Sequence, residues 1–104
     1  MDFKVFLSAE ALNDLELIVA YIAPQNADAA ERTGNRLLDV AFSLNTFPER
    51  GRMVPEFRRP ELREILFRSY RIIYRLNLAD TSVEIVRFWH AARGFPVIPR
   101  GGGP

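Results

Sequence analysis

The fold is decided by Tyr-Arg-Ile-Ile-Tyr-Arg-Leu at residues 70–76 and, after a short polar turn, by Val-Glu-Ile-Val-Arg-Phe-Trp-His-Ala-Ala-Arg at residues 83–93. β-branched and aromatic residues dominate both runs, which is typical of strands, and Ala79–Thr81 is short enough for a tight connection between them. Two antiparallel strands are therefore predicted. The second run also contains the only histidine and the only tryptophan of the chain, so candidate site residues concentrate there.

A third strand is predicted at Arg63–Phe67, because the two residues that follow it can close a hairpin to the strand at 70–76. Successive side chains of a strand point to opposite faces. The central strand therefore has an apolar face, predicted to pack against helices, made of Tyr70, Ile72, Tyr74 and Leu76. Its other face carries Arg71 and Arg75 and is expected to be concave or open.

Both faces of the last strand carry large apolar side chains. Simple alternation places Val86 with Phe88 on one face, and Ile85 with Trp89 on the other. A sheet with two apolar faces needs cover on both sides. Part of the sheet is therefore expected to lie under the C-terminal tail or under a second chain.

The N-terminal half predicts a short strand, Phe3–Leu7, and a helix from Ala9 to near Ala23. Ser8 can cap this helix, and Pro24 ends it. Its apolar stripe is formed by Ala11, Leu15, Ile18 and Ile22. The polar residues that are expected to lie mostly away from that stripe are Asn13, Asp14 and Glu16.

A second helix is predicted from a cap at Asn26 to Phe47, where Pro48 stops it. Its stripe is formed by Ala30, Gly34, Leu37, Ala41 and Leu44. The small members would allow the two helices to approach closely, since a glycine inside a helix otherwise costs about 1 kcal/mol. The stretch from residue 49 to Pro60 is interpreted as an ordered excursion over the sheet, which is pinned by Met53, Val54 and Phe57.

Together these elements predict an α+β fold in the order β-α-α-β-β-β, with a helical hairpin packed on a mainly antiparallel four-stranded sheet. Residues 1–100 are expected to form one domain, and residues 101–104 a flexible tail. No stretch approaches the roughly 18–20 apolar residues of a membrane span, and the N-terminus does not have the pattern of a signal peptide. Without cysteine, disulfides and thiolate metal sites are excluded. A cytoplasmic protein without cofactor, metal or membrane partner is expected.

Charge is divided unevenly along the chain. Residues 1–48 carry three basic and seven acidic side chains, whereas residues 49–104 carry eleven arginines and six acids. Arginine suits planar, bidentate binding of carboxylate or phosphate. The arginines of residues 49–68 could pair with Glu56, Glu61 and Glu64, or they could be presented to a partner.

Four motifs stand out along the chain: Ala-Leu-Asn-Asp-Leu at 11–15, Leu44 with Phe-Pro-Glu-Arg-Gly at 47–51, Tyr-Arg-Ile-Ile-Tyr at 70–74, and His90 with Arg93. In this order they resemble the ParE/RelE superfamily, the toxins of bacterial type II toxin–antitoxin modules. The resemblance covers residues 3–93. It implies a cognate antitoxin as partner, in an assembly of two toxins with two antitoxins, and no sequence-specific DNA binding by this chain.

The superfamily has two mechanistic branches. RelE-like members resemble ribonucleases that cut mRNA on the ribosome, for which Arg71, His90 and Arg93 would be the catalytic residues here. ParE-like members inhibit DNA gyrase without that chemistry. The chain has no lysine in the predicted strand at 63–67 and no tyrosine or histidine after Arg93, which favours the ParE branch. A third alternative is a binding module of this fold that has lost its toxicity.

The ParE-like interpretation assigns binding residues. Target binding is predicted for Arg71, Arg75, Arg87, His90 and Arg93. Antitoxin binding is predicted for Leu17, Phe42, Phe88 and Trp89. Structural alternatives stay open for the last strand: His90 could simply be hydrogen-bonded to the backbone, and Arg93 could close a salt bridge.

Overall fold

The computed structural model describes residues 2–99. The main elements within that range are β1 (Lys4–Leu7), α1 (Ala9–Ile22), α2 (Ala27–Phe42), β2 (Arg52–Met53), β3 (Leu62–Phe67), β4 (Tyr70–Asn77) and β5 (Ser82–His90). Two 3₁₀ turns, Ser43–Asn45 and Ala91–Arg93, follow α2 and β5. The single domain predicted for residues 1–100 extends past the described range. The flexible tail predicted for residues 101–104 lies outside it.

The strands form one sheet in the order β1-β5-β4-β3-β2, in which only β1 and β5 are parallel neighbours. The α+β class and the mainly antiparallel sheet under a helical hairpin are confirmed. The strand count of four is wrong, because Arg52 and Met53 pair with Glu64 and Arg63 as a fifth strand. Two residues are too few to show the alternation by which a strand is recognised in a sequence.

Both helices begin where their capping residues predict. Ser8 Oγ accepts a hydrogen bond from the backbone N–H of Ala11 at 3.0 Å, and Asn26 Oδ1 accepts one from Ala29 at 3.0 Å. These bonds satisfy amide groups that have no partner within the first turn of a helix. The end of α2 differs from the prediction, because the chain tightens into a 3₁₀ turn after Phe42, before Phe47 is reached.

The helices pack closely through small residues, as predicted. Ala30, Gly34 and Ala41 of α2 are buried. A methyl group added at Gly34 would lie 3.0 Å from Cγ2 of Val19 on α1. Carbon atoms in ordinary contact are about 3.5–4.0 Å apart, so only glycine fits this close approach without a shift of the neighbour.

The sheet has a core on each face. On the helix side, Leu37 and Leu44 pack with Ile72, Tyr74 and Phe88, which confirms the predicted packing face of β4. On the other side, a second core is formed by Val54, Leu62, Ile73, Val86 and Trp89, with Phe57 and Ile98 packed against it. The face that carries Arg71 and Arg75 is therefore covered. The expectation of an open face is wrong. Of the two covers that the sequence left open, the C-terminal part of the chain is present at Ile98, and cover by a second chain stays a prediction.

A bulge in β5 determines which of its apolar side chains belong to each face. The pairing of β4 with β5 passes from Ile73–Arg87 to Tyr74–Ile85, which leaves Val86 as the extra residue. Ile85 and Phe88 consequently belong to the core on the helix side, and Val86 joins Trp89 in the other core. The simple alternation assumed for this strand is wrong, because a bulge reverses the order of the faces.

Tyr74 fixes the turn that leads from α2 to β2. Its hydroxyl donates to the Pro48 carbonyl at 2.7 Å and accepts from the Gly51 N–H at 2.9 Å. Burial of the ring raises the pKa of Tyr74. A Cβ at Gly51 would lie 2.7 Å from the Tyr74 hydroxyl oxygen and 2.7 Å from the Glu64 carbonyl oxygen. The glycine of the Phe-Pro-Glu-Arg-Gly motif is thus required by space.

Gly51→Ala is expected to destabilise the fold by about 1–3 kcal/mol, the usual cost of adding atoms to a packed site. Urea denaturation of wild type and variant, followed by circular dichroism, measures the change in unfolding free energy. Gly34→Ala is the matched comparison: its methyl group meets the end of one valine side chain, which can move more easily than backbone, so a smaller loss is expected. An unchanged midpoint for Gly51→Ala would contradict the packing account.

Candidate functional site

A groove of about 330 Å³ lies between α1 and the ends of β4 and β5. Its lining residues are Asp14, Leu17, Ile18 and Tyr21 from α1, and Tyr70, Phe88, His90 and Arg93 from the sheet and the turn that follows it. Leu17 is 61% exposed and Tyr21 is 80% exposed, so the rim offers apolar surface to solvent. We refer to this feature as the α1–β5 groove.

The groove exists because β1 is much shorter than its neighbour β5. The four residues of β1 pair only with Ser82–Ile85, so the second half of β5 has β4 on one side and no described strand on the other. The chain completes this edge with α1 and its cap: Ser8 N–H donates to the Ile85 carbonyl at 2.9 Å, and Ser8 Oγ donates to the Val86 carbonyl at 3.1 Å. Unpaired backbone groups at a covered sheet edge would be costly, so these bonds determine where α1 lies.

Asp14 completes the same edge and neutralises an arginine. Its Oδ2 accepts from the Phe88 N–H at 3.1 Å and from Arg87 Nε at 2.7 Å, and its Oδ1 accepts from Arg87 Nη2 at 2.7 Å. The carboxylate raises the pKa of Arg87. The expectation that Asp14 lies mostly away from the buried face is wrong, because the ion pair with Arg87 draws it inward.

His90 is the last residue of β5 and lines the groove. Its Nδ1 accepts from the Ala92 N–H at 3.1 Å, and its ring contacts Tyr70 edge-on, with 5.3 Å between the ring centroids. With Nδ1 used as an acceptor, the neutral ring carries its proton on Nε2 and can donate from there. The backbone-bonded alternative for His90 is therefore realised, and the residue lines the groove as well.

Arg93 provides a cation at the groove. It is exposed, and among residues 2–99 no carboxylate forms an ion pair with it. Its guanidinium carbon lies 3.8 Å from the centroid of the Trp89 ring, whose Nε1–H donates to the Gly94 carbonyl at 3.1 Å. This stacking holds the cation in place without neutralising it. The salt-bridge alternative for Arg93 is not what the described residues show.

Arg71 lies on the opposite face of the sheet. Its Nε donates to Glu64 at 2.6 Å, and its Nη1 and Nη2 donate to the two oxygens of Glu56 at 2.8 and 2.6 Å. Arg71 is only 8% exposed. Glu56 raises the pKa of Arg71, and Arg71 in turn lowers the pKa of Glu56. The sequence left pairing with these glutamates open for the arginines of residues 49–68, and of those Arg52 does pair with Glu64, at 2.7 Å. Arg71 lies outside that range and is paired as well.

Arg75 occupies the same covered face. Its Nη1 donates to Glu84 at 2.9 Å and its Nη2 donates to the Pro99 carbonyl at 3.0 Å. The structure thus brings His90 and Arg93 to one groove and places Arg71 and Arg75 beneath the opposite cover. The three residues of the ribonuclease alternative do not meet. Target binding by the five residues named from the sequence stays a prediction.

The residues predicted to bind an antitoxin differ in accessibility. Leu17 and Phe42 are exposed, whereas Phe88 and Trp89 are 1% and 2% exposed. Leu17 forms the rim of the groove and Phe88 its floor. Trp89 belongs to the core on the other face. Their role as partner contacts stays a prediction.

Tyr21 was missed by the sequence reasoning. It lies four positions after Leu17, which places both on one face of α1. That spacing is visible in the sequence, but it becomes meaningful only once the stripe through Leu15 and Ile18 is known to face the sheet.

Within residues 2–99, no helix has the length and the apolar composition that a membrane span requires.

The sequence matches a known toxin family over most of its length. Residues 5–95 match the family described as the ParE toxin of type II toxin–antitoxin system, parDE. Toxin RelE2 of Caulobacter vibrioides is 42% identical over 90 residues, which is 86% of this chain and 97% of the relative. Toxin RelE1 of the same organism is 33% identical over 92 residues, with 86% and 95% coverage.

Solved structures share the fold at low sequence identity. The chromosomal ParDE system of P. aeruginosa superposes with a TM-score of 0.70 at 16% identity, over 85% of this chain and 95% of the other. The RelBE2 toxin–antitoxin complex of Mycobacterium tuberculosis gives 0.66 at 22% identity, over 86% and 99%. These likenesses bear on the architecture alone.

The family match and the two relatives define a bacterial toxin class. This chain belongs to the ParE/RelE superfamily of type II toxin–antitoxin toxins. Both branch names occur in these comparisons, ParE in the family description and RelE in the names of the two relatives.

Glu56→Gln is expected to weaken the acid sensitivity of the fold. Arg71 lowers the pKa of Glu56, so this ion pair stabilises the folded state above the ordinary glutamate pKa of about 4.3 and loses that contribution as the pH falls through the lowered value. Thermal denaturation at pH 7 and pH 3 should therefore show a smaller loss for Glu56→Gln than for wild type.

The matched control for this experiment is Glu61→Gln. Glu61 is exposed and forms no ion pair with another described residue. Its variant should lose as much stability between the two pH values as wild type does. An identical loss for Glu56→Gln and wild type would contradict the role given to the Arg71 pair.

Proposed function

We propose that this protein is a ParE-like toxin that binds and inhibits DNA gyrase without catalysing a reaction, and that a cognate antitoxin neutralises it. One observation carries the choice of branch. Arg71, the central-strand arginine on which the ribonuclease alternative depends, is enclosed by Glu56 and Glu64 on the face away from the groove. A guanidinium held by two carboxylates is a poor stabiliser of a developing phosphate charge.

Cleavage of RNA through its 2′-hydroxyl needs a base, an acid and cations around one phosphate. Among residues 2–99, the groove offers His90 and one unpaired cation, Arg93. Lys4, the only lysine of the chain, pairs with Ser82 at the far end of β5 from His90. The groove therefore has fewer of the required groups than such a reaction needs, whereas a protein contact has no such requirement.

The groove suits a protein contact. Leu17 and Tyr21 present apolar surface, and Arg93 and His90 add a fixed cation and a hydrogen-bond donor at its sheet side. Interfaces commonly combine an apolar and aromatic centre with an arginine. We place the target contact at His90 and Arg93. Arg71, Arg75 and Arg87 then act by holding the fold, through their ion pairs with Glu56, Glu84 and Asp14.

The RelE-like alternative has its own support. The two curated relatives are named RelE toxins, and His90 and Arg93 do share one groove with Tyr70. Ribosome-dependent mRNA cleavage is therefore the second function to test.

An antitoxin is the partner that this proposal requires. The P. aeruginosa and M. tuberculosis structures come from toxin–antitoxin systems. The exposed apolar residues Leu17, Tyr21 and Phe42 are surfaces that such a partner could cover. We expect an assembly of two toxins with two antitoxins.

Purified toxin, freed from its antitoxin, is expected to inhibit gyrase supercoiling and to leave mRNA intact on translating ribosomes. Arg93→Ala should weaken gyrase inhibition about tenfold, since removal of one interface cation is worth about 1–2 kcal/mol. Both assays are read on agarose or sequencing gels with the same protein preparation.

The matched control is Arg59→Ala, because Arg59 is also exposed but does not line the groove. It should inhibit gyrase as wild type does. Ribosome-dependent cleavage that is abolished by His90→Ala or Arg93→Ala would refute the gyrase proposal and support the second function. Inactivity in both assays would support the third alternative, a module that has lost its toxicity.

A further inference from the structure

The outer edge of β3 is only partly covered. β2 pairs with Arg63 and Glu64, and no described strand lies beside Ile65–Phe67 on that side. The chain just before β2 turns away, because the Arg50 N–H donates to the Phe47 carbonyl at 3.1 Å. Of these three residues Leu66 is exposed to solvent, and Ile65 and Phe67 are half-buried.

The backbone at this edge has hydrogen-bonding groups to offer. The Val54 N–H donates to the Leu62 carbonyl at 3.0 Å, so the peptide groups of Leu62 point toward the outer side. In an antiparallel sheet the bonding direction alternates, and Leu66 points the same way as Leu62. The N–H and carbonyl of Leu66 consequently face the open edge, and the residue is 56% exposed.

Positive charge surrounds this edge. Arg36 and Arg50 line a recess of about 260 Å³ together with Phe67, and Arg68 stacks on Phe67 with 5.2 Å between its guanidinium carbon and the ring centroid. In the part of the chain that the structure describes, none of these three arginines forms an ion pair. Of the described residues, Asp39 is the one carboxylate that lines the recess, so positive charge is in excess.

Arg68 has a backbone conformation that favours glycine. Its φ of 53° lies in the left-handed region, at the first position of the two-residue turn between Phe67 and Tyr70. Glycine or asparagine is the less strained residue there. The chain nevertheless carries a long cationic side chain at this position, beside the open edge. Strained backbone of this kind is concentrated at functional sites.

We propose that the edge of β3 at Leu66 binds an extended, acidic segment of a partner protein as a sixth strand. The backbone of the segment would pair with the N–H and carbonyl of Leu66, and its carboxylates would meet Arg36, Arg50 and Arg68. This inference does not depend on whether the toxin acts on gyrase or on the ribosome.

Other roles for this surface fit less well. Charged residues often protect an edge from aggregation, but here the residue in the middle of the edge is an exposed leucine. Pairing with β3 of a second copy would bring like charges together. A nucleic acid would match the arginines but would leave the outward peptide groups of Leu66 unused.

An NMR titration of ¹⁵N-labelled protein tests the proposal. The probe is a capped octapeptide of alternating valine and glutamate, and the comparison is the same peptide with lysine in place of glutamate. The glutamate peptide should shift the amide signals of Ile65–Arg68, and the lysine peptide should bind at least about tenfold more weakly because its charge is repelled. Added salt should weaken the binding of the glutamate peptide.

Two variants separate the backbone and charge contributions. Leu66→Pro removes an N–H that faces outward, which an edge strand tolerates, so the fold should persist while binding is lost. Arg68→Gly relieves the strained turn, so the melting temperature should stay or rise while affinity falls about threefold or more. Arg59→Ala, which leaves the edge untouched, should bind as wild type does.

Several results would overturn the proposal. They are equal binding of both peptides, full binding by Leu66→Pro, peptide shifts confined to the α1–β5 groove, and no shift at Leu66 with millimolar peptide. A single-stranded RNA oligonucleotide that bound the same residues more tightly than the acidic peptide would replace the protein partner by a nucleic acid.

Discussion

A buried guanidinium has to be paired, and Arg71 meets this constraint between two carboxylates. Glu64 reaches it from the neighbouring strand, and Glu56 reaches it from the segment that crosses the sheet. Breaking a buried ion pair is costly because it leaves an uncompensated charge. The two ion pairs of Arg71 therefore determine how the segment after β2 lies on the sheet. This segment covers the face on which a catalytic arginine would have to be free.

The helix-covered face of the sheet depends on the difference in length between β1 and β5. Because β1 ends halfway along β5, the remaining backbone of β5 has to find partners on α1, and it finds them in Ser8 and Asp14. This places α1 beside His90 and Arg93 and creates the groove. Of the arginines at residues 70–93, Arg71, Arg75 and Arg87 are therefore paired within the fold, and Arg93 is exposed.

Local chemistry made much of the fold predictable. The caps at Ser8 and Asn26, the small residues of α2 and the alternation of β4 are each visible within a few residues. The bulge at Val86 and the two-residue β2 are not, because each depends on pairing between distant parts of the chain. The same limit applies to the site. His90 and Arg93 stood out as a rare residue type and a shared motif, whereas the partners of Arg71 and Arg87 could be found only by folding the chain.

We propose that Arg71 supports the fold and that the protein contacts its target at the groove. Replacement of a buried ion pair by apolar residues of similar volume is often neutral or stabilising, so Arg71→Met combined with Glu64→Met and Glu56→Gln can preserve the fold. The most direct measurement is gyrase inhibition by this triple variant, with circular dichroism to confirm folding. Our account predicts inhibition close to that of wild type. A folded triple variant that has lost its inhibition would contradict it.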